Sequence, residues 1–193
     1  LGQYTGIELQ GEAKGTVIPP TDPQGNEVRY ANMTFGQGLD VTTLQMATAF
    51  CAEINGGLYY KPTVIAGSVG DDGTFKAASQ QNGQQIIKST TSDAMRQMLY
   101  NVRHQNTTIK DPSGIYTGGK TGTAQTIVNG QYSFQQQTGT YDGFGGTPGQ
   151  KPAYVVMTFV AKPNTALGGE HAREVFNPMS DWMIKYLKLE PKG

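Results

Sequence analysis

Residues 153–161, AYVVMTFVA, restrict this chain more than any other stretch. They carry no charge and are mostly β-branched or aromatic, so they cannot alternate between core and water. They predict a central strand buried on both faces. Such a strand needs a sheet beside it and cover on each side. One cover is offered downstream, where from about Glu170 to Leu189 the residues Val175, Phe176, Met179, Trp182, Met183, Tyr186 and Leu187 fall on one broad helical stripe. Trp182 reads there as core filling, and Pro178 predicts a kink or a late start.

The rest of the sheet is expected just upstream. Tyr116 to Val128 holds Thr, Ile and Val around its glycines and ends at Asn129-Gly130, the strongest short hairpin signal. Strand follows strand with no helix between, so pairing should be largely antiparallel. Earlier, Thr42 followed three residues later by Gln45 is a capping-box signature, and Leu44, Ala47, Cys51 and Ile54 recur at helical spacing until Gly56-Gly57, giving a helix near 43–55. Thr91-Ser92-Asp93 opens a second helix, 92–104, whose Met95, Met98, Leu99 and Val102 share a face that reads as core. Between the helices, Tyr59 to Val69 and Thr74 to Ala78 read as a hairpin turning at Asp71-Asp72-Gly73. The opening residues read as loop with one short strand at Ile7 to Leu9, and Gln105 to Ser113 as a polar loop. At 193 residues the expectation is one domain of α+β class, a largely antiparallel sheet flanked by helices.

Charge excludes some partners. Lys plus Arg and Asp plus Glu are equal at 15 each, so no global field would draw the chain to nucleic acid or to an anionic membrane surface. The single Cys51 excludes an internal disulfide, and its apolar helical setting favours a small buried side chain over a reactive thiol. No apolar run approaches the roughly 20 residues that cross a bilayer, so any anchor is expected outside this chain. His104 falls at the end of one expected helix and His171 near the start of another, with no third metal-type ligand nearby. No metal or other cofactor is expected.

The stretch GIYTGGKTGTA, Gly114 to Ala124, fits two patterns. Its first eight residues match the phosphate loop G-x-x-x-x-G-K-[ST], and Lys120-Thr121-Gly122 is the K-T-G of serine acyl-transfer enzymes. A phosphate loop needs a buried strand before it and a helix starting at the Lys-Thr. Here a polar turn precedes the match, and glycine, β-branched residues and Asn129-Gly130 follow it, which favours the K-T-G reading. On a strand, Lys120 and Gly122 share one face while Thr121 and Thr123 share the other. Gly122 would let a substrate backbone approach closely.

The neighbours of this motif make it specific. KTGTAQ, preceded by FGQGLDVTTLQMATAF and followed by TYDGFGG and AYVVMTFVAKP, resembles the carboxy-terminal half of the transpeptidase domain of class B penicillin-binding proteins. The opening TGIELQGEAKG also resembles that family's T-G-I-[DE]-L-P-G-E segment, with Gln10 in the proline position. Thr42-Thr43-Leu44-Gln45-Met46-Ala47 matches [ST]-P-L-Q-[LM]-A with Thr43 where proline is common. The likeness runs collinearly from about residue 4 to 188. It implies a partial penicillin-binding or serine β-lactamase-like transpeptidase fold.

It also implies roles. Lys120 would act in proton transfer and attract the substrate carboxylate. Thr121 and Thr123 would bind the terminal carboxylate of D-alanyl-D-alanine or a β-lactam, the Thr123 N–H would be one oxyanion-hole donor, and Gly122 would leave room for the substrate backbone. Family members carry S-x-x-K and S-x-N as well, and no serine here (68, 79, 89, 92, 113, 133, 180) starts either motif. By the family's order both would precede Leu1. The chain is therefore expected to be the carboxy-terminal portion of one transpeptidase domain, residues 1–193, with no nucleophile and no activity alone. It would pair with the amino-terminal part of that domain, in a parent anchored at the extracytoplasmic face of a bacterial membrane. Asp142, in TYDGFGG, reads as surface or turn. A serine β-lactamase, a β-lactam sensor or a noncatalytic assembly module are the rival readings.

Overall fold

Asn129 and Gly130 take φ of 52° and 79°, the two left-handed conformations that a tight hairpin turn requires. They join β5 (Tyr116–Val128) to β6 (Gln131–Gly146), and β7 (Tyr154–Val160) pairs with the far side of β6. All pairing is antiparallel, in the order β5-β6-β7, with one irregularity between Gln125 and Thr126. The computed structural model describes residues 1–79, 81–105, 111–112, 114–161 and 167–189. The loop expected over 105–113 falls mostly outside them.

Helices cover both faces of this sheet. On one lie α2 (Thr43–Ile54) and α3 (Ser89–Gln105), whose Phe50, Ile54 and Leu99 meet Phe144 of β6, with Tyr116 and Val155 alongside. On the other lies α4 (Gly168–Tyr186), whose Ala172 and Phe176 pack on Tyr141, and whose Ile184 packs on Tyr154 and Ile115. The capping box at Thr42 and Gln45 is present in both directions, and α2 ends one residue before Asn55.

Several elements depart from the sequence expectation. β7 is covered on both faces as predicted, but among the described residues it is an edge strand, paired only with β6. The expected strand 59–69 divides into β1 (Leu58–Tyr59) and β2 (Gly67–Val69). β2 pairs with β3 (Phe75–Ala77), which is the expected hairpin in shortened form, and β1 pairs with β4 (Gln84–Gln85). Between them Pro62 offers no N–H, while the Glu8 carboxylate accepts from Thr63 Oγ1 at 3.1 Å and from the Val64 N–H at 3.2 Å. The opening segment thus lies along this stretch, and Ile7 to Leu9 form no strand. A short helix α1 (Glu27–Met33), capped by the Asn26 side chain, went unforeseen.

Each apolar stripe was right in part, since Leu99 and Phe176 are buried as expected, but the rest of each face was misassigned. On α3, Met98 and Val102 are exposed, and the buried face is Ser92, Leu99 and Arg103. On α4 the buried face is Gly168, Gly169, Ala172, Phe176, Ser180 and Ile184, while Val175, Met179, Trp182 and Tyr186 stand outside. Trp182, 57% exposed and stacked on Tyr186, fills no core. The helix starts ahead of Pro178 rather than late, because its glycine end is what reaches the sheet.

Candidate active site

K-T-G lies inside β5, with strand geometry before and after it. No helix starts at Lys120 or Thr121, so the phosphate-loop match has no dipole or converging amides behind it. β5 forms the border of its sheet, which leaves its outer backbone groups unpaired by any strand among the described residues. An extended peptide could add there.

The two faces of β5 differ as the alternation predicted. Lys120 and Gly122 belong to the α2 side. Lys120 is exposed, and its Nζ donates to the Thr121 carbonyl at 2.8 Å. Gly122 is opposite Thr140, whose Oγ1 lies 2.4 Å from where a Cβ would be. Thr121 and Thr123 belong to the α4 side, where the Gly169 N–H donates to Thr123 Oγ1 at 3.3 Å. Glycine permits that contact, since a Cβ at 169 would lie 2.9 Å from the same oxygen and 3.0 Å from the Gly122 carbonyl. A cleft of about 440 Å³ opens beside Gly122, Thr123 and Ala124 and runs to Phe35, Leu39 and Met46 on the approach to α2. A separate groove of about 500 Å³, lined by Leu44, Cys51, Tyr60 and Lys61, holds no K-T-G residue. Cys51 is half-buried there, and burial pushes its thiol up, away from thiolate chemistry.

Beneath the strand sits Arg103, 3% exposed. Its guanidinium donates to Thr117 Oγ1 of β5 at 3.0 Å, to the Tyr141 hydroxyl of β6 at 3.2 Å, to Asn177 of α4 at 3.3 Å and to Asp111 at 3.0 Å. It also lies 5.2 Å over the Phe176 ring. Burial raises Asp111, but hydrogen bonds from Arg103 and Thr117 outweigh it and hold the carboxyl below its usual range. His104 joins this cluster, with Nε2 2.8 Å from Asp111 and Nδ1 donating to the Tyr100 carbonyl. His171 instead meets Glu174 at 3.1 Å. Sequence reading missed Arg103, because a cation at a helix end reads as a solvated dipole partner.

Asp142 is the larger correction. It is no surface turn: it is 8% exposed, lies inside β6, and is the register partner of Lys120. Its Oδ1 has no hydrogen-bond partner among the described residues. Burial, reinforced by the charge of Glu53 on α2, pushes its carboxyl up to about 6. The signal was present, since Asp142 is two residues from core Phe144 and so shares its face.

Residues 1–181 match the family described as penicillin binding protein transpeptidase domain. The chain is 33% identical over 198 residues to stage V sporulation protein D of Bacillus subtilis, covering all of this chain and 30% of that protein. It is 28% identical over 169 residues to the probable peptidoglycan D,D-transpeptidase PenA of Neisseria flavescens, covering 86% of this chain and 39% of the relative. Penicillin-binding protein 3 of Mycobacterium tuberculosis, solved with ampicillin, superposes on the whole chain with a TM-score of 0.79 at 29% identity, over 45% of its own length. The chain thus spans about a third of these relatives and under half of the solved protein.

Proposed function

This chain belongs to the penicillin-binding protein transpeptidase family, and from that premise we propose that it supplies the K-T-G wall of a serine acyl-transfer site that cross-links peptidoglycan stem peptides. The observation that carries this reading is β5 itself, a strand with K-T-G beside a cleft and, among the described residues, no strand paired on its outer edge. A stem peptide ending in D-Ala-D-Ala, or a β-lactam that mimics it, would lie along that edge. Lys120 would assist proton transfer near the nucleophile. The Thr121 and Thr123 hydroxyls would hold the terminal carboxylate, the Thr123 N–H would face the developing oxyanion, and Gly122 would leave room for the substrate backbone.

The serine would come from the remainder of the same domain, since no serine here starts S-x-x-K or S-x-N. We place the assembled enzyme at the extracytoplasmic face of a bacterial membrane, held by a segment outside this chain. Among the described residues no helix is long and apolar enough to cross a membrane. Fluorescent penicillin tests the reading. This chain alone is expected to stay unlabelled, and covalent labelling of it would overturn the absence of a nucleophile. In the complete protein, Lys120→Ala is expected to slow acylation at least about 100-fold. A wild-type rate would remove Lys120 from the chemistry, and rapid release of the hydrolysed antibiotic would mark a β-lactamase instead.

A further inference from the structure

Asp142 occupies a position that the acyl-transfer scheme does not use. It is directly across the strand pair from Lys120, on the same face, at a spacing where paired Cα atoms of antiparallel strands lie about 5 Å apart. That distance is within the reach of a lysine side chain. The strand register sets Lys120 of β5 and the uncharged Met157 of β7 beside Asp142, and from α2 the charge of Glu53 acts on its carboxyl while Cys51 feels the charge of Asp142. Lys120 is the one cation in that set. A buried carboxylate oxygen with no donor is costly, so a neighbouring ammonium that can reach it is drawn inward. Lys120 now spends its Nζ on a neighbouring carbonyl and makes no ion pair among the described residues, so it is available for that move.

We propose that Asp142 is a positioning residue for Lys120, its buried carboxylate drawing the ammonium inward across the sheet face. This rests on the acyl-transfer reading of Lys120. The ionised carboxylate does the positioning, so acylation should rise as Asp142 loses its proton.

The test is the pH profile of acylation by a penicillin in the complete protein. The wild type is expected to show an inflection below the value of about 6 that burial and Glu53 set, because an approaching ammonium favours the ionised carboxyl. Asp142→Asn should abolish that inflection and lower the maximal acylation rate at pH 7.5 by roughly 10–100-fold, with little change in half-saturating antibiotic concentration. Glu53→Gln removes the charge that helps to raise Asp142, so it should shift the inflection to lower pH and keep the plateau. A purely packing role predicts an unchanged profile, and that result for Asp142→Asn would overturn the proposal. A second readout works without chemistry: in ¹⁵N-lysine-labelled protein, the Lys120 side-chain nitrogen should shift with the same midpoint in the wild type and not in Asp142→Asn. A flat response in both would also overturn it. A wild type that is never acylated, yet shows the coupled shift, would instead remove the acyl-transfer reading and leave the Lys120–Asp142 pairing standing.

Discussion

Two carboxyls on opposite faces of the same sheet are tuned in opposite directions, and each leaves a mark on stability. Asp142 is raised from an ordinary value near 3.8 to about 6, so the folded state holds its proton longer than the unfolded chain does. Its contribution is present below pH 3.8 and is lost as pH rises through 6, a change of about 3 kcal/mol at about 1.4 kcal/mol per pH unit. Asp142→Asn should therefore match the wild type near pH 4 only after the amide's own cost is subtracted, gain on it between about pH 4 and pH 6, and level off above that. Urea denaturation at several pH values measures that widening, and parallel curves would show that Asp142 is not perturbed. Asp111 runs the other way: its lowered carboxyl stabilises the fold above the ordinary range, and that stability is lost as pH falls through the folded value. The strand that carries K-T-G was legible in sequence because its hairpin signal, Asn129-Gly130, is local. Asp142 was misplaced because Asp-Gly has turn composition, whereas Gly143 is needed for packing: a Cβ there would lie 2.3 Å from the Phe176 ring.

Helices were found by their apolar period, yet that period did not say which face is buried. In α4 the choice is made by close approach. A Cβ on Gly168 would lie 2.8 Å from the Gly139 amide nitrogen and 2.9 Å from the Gln137 carbonyl, and one on Gly139 would overlap the Gly168 carbonyl. Two glycines set against each other bring the helix start onto β6, and the rest of the buried face follows at intervals of four through Ala172, Phe176, Ser180 and Ile184. Gly168→Ala should therefore cost about 1–3 kcal/mol by overpacking, read as a lower melting temperature. In α3 the buried face is decided by charge. Arg103 reaches α4 and two strands, contacts that no local pattern foretells. Arg103→Leu would strand Asp111 without its guanidinium and should cost about 3–5 kcal/mol. Adding Asp111→Asn should recover part of that loss, and a double variant as unstable as the single one would show that the ion pair is not the source.

On the scale of the whole chain, the sheet has two borders and one outward apolar stripe. β5 and β7 each lack a partner strand on their outer side among the described residues, and Val175, Met179, Trp182 and Tyr186 line the exposed side of α4. The run 153–161 foretold cover on both faces and was right about the layers, but burial on the faces says nothing about which neighbour a strand pairs with. That is why an edge strand could read as a central one. Unpaired edges and exposed aromatic residues are the surfaces on which a chain associates. If the nucleophile lies on the remainder of the domain, as proposed, the two pieces should complement each other when produced together. Incubated with fluorescent penicillin and separated on a denaturing gel, the label should appear on the piece carrying S-x-x-K, only when this chain is present, and should fade when this chain carries Lys120→Ala. Label on that piece in the absence of this chain would show that acylation does not need the K-T-G strand, and Lys120 would lose its place in the reaction.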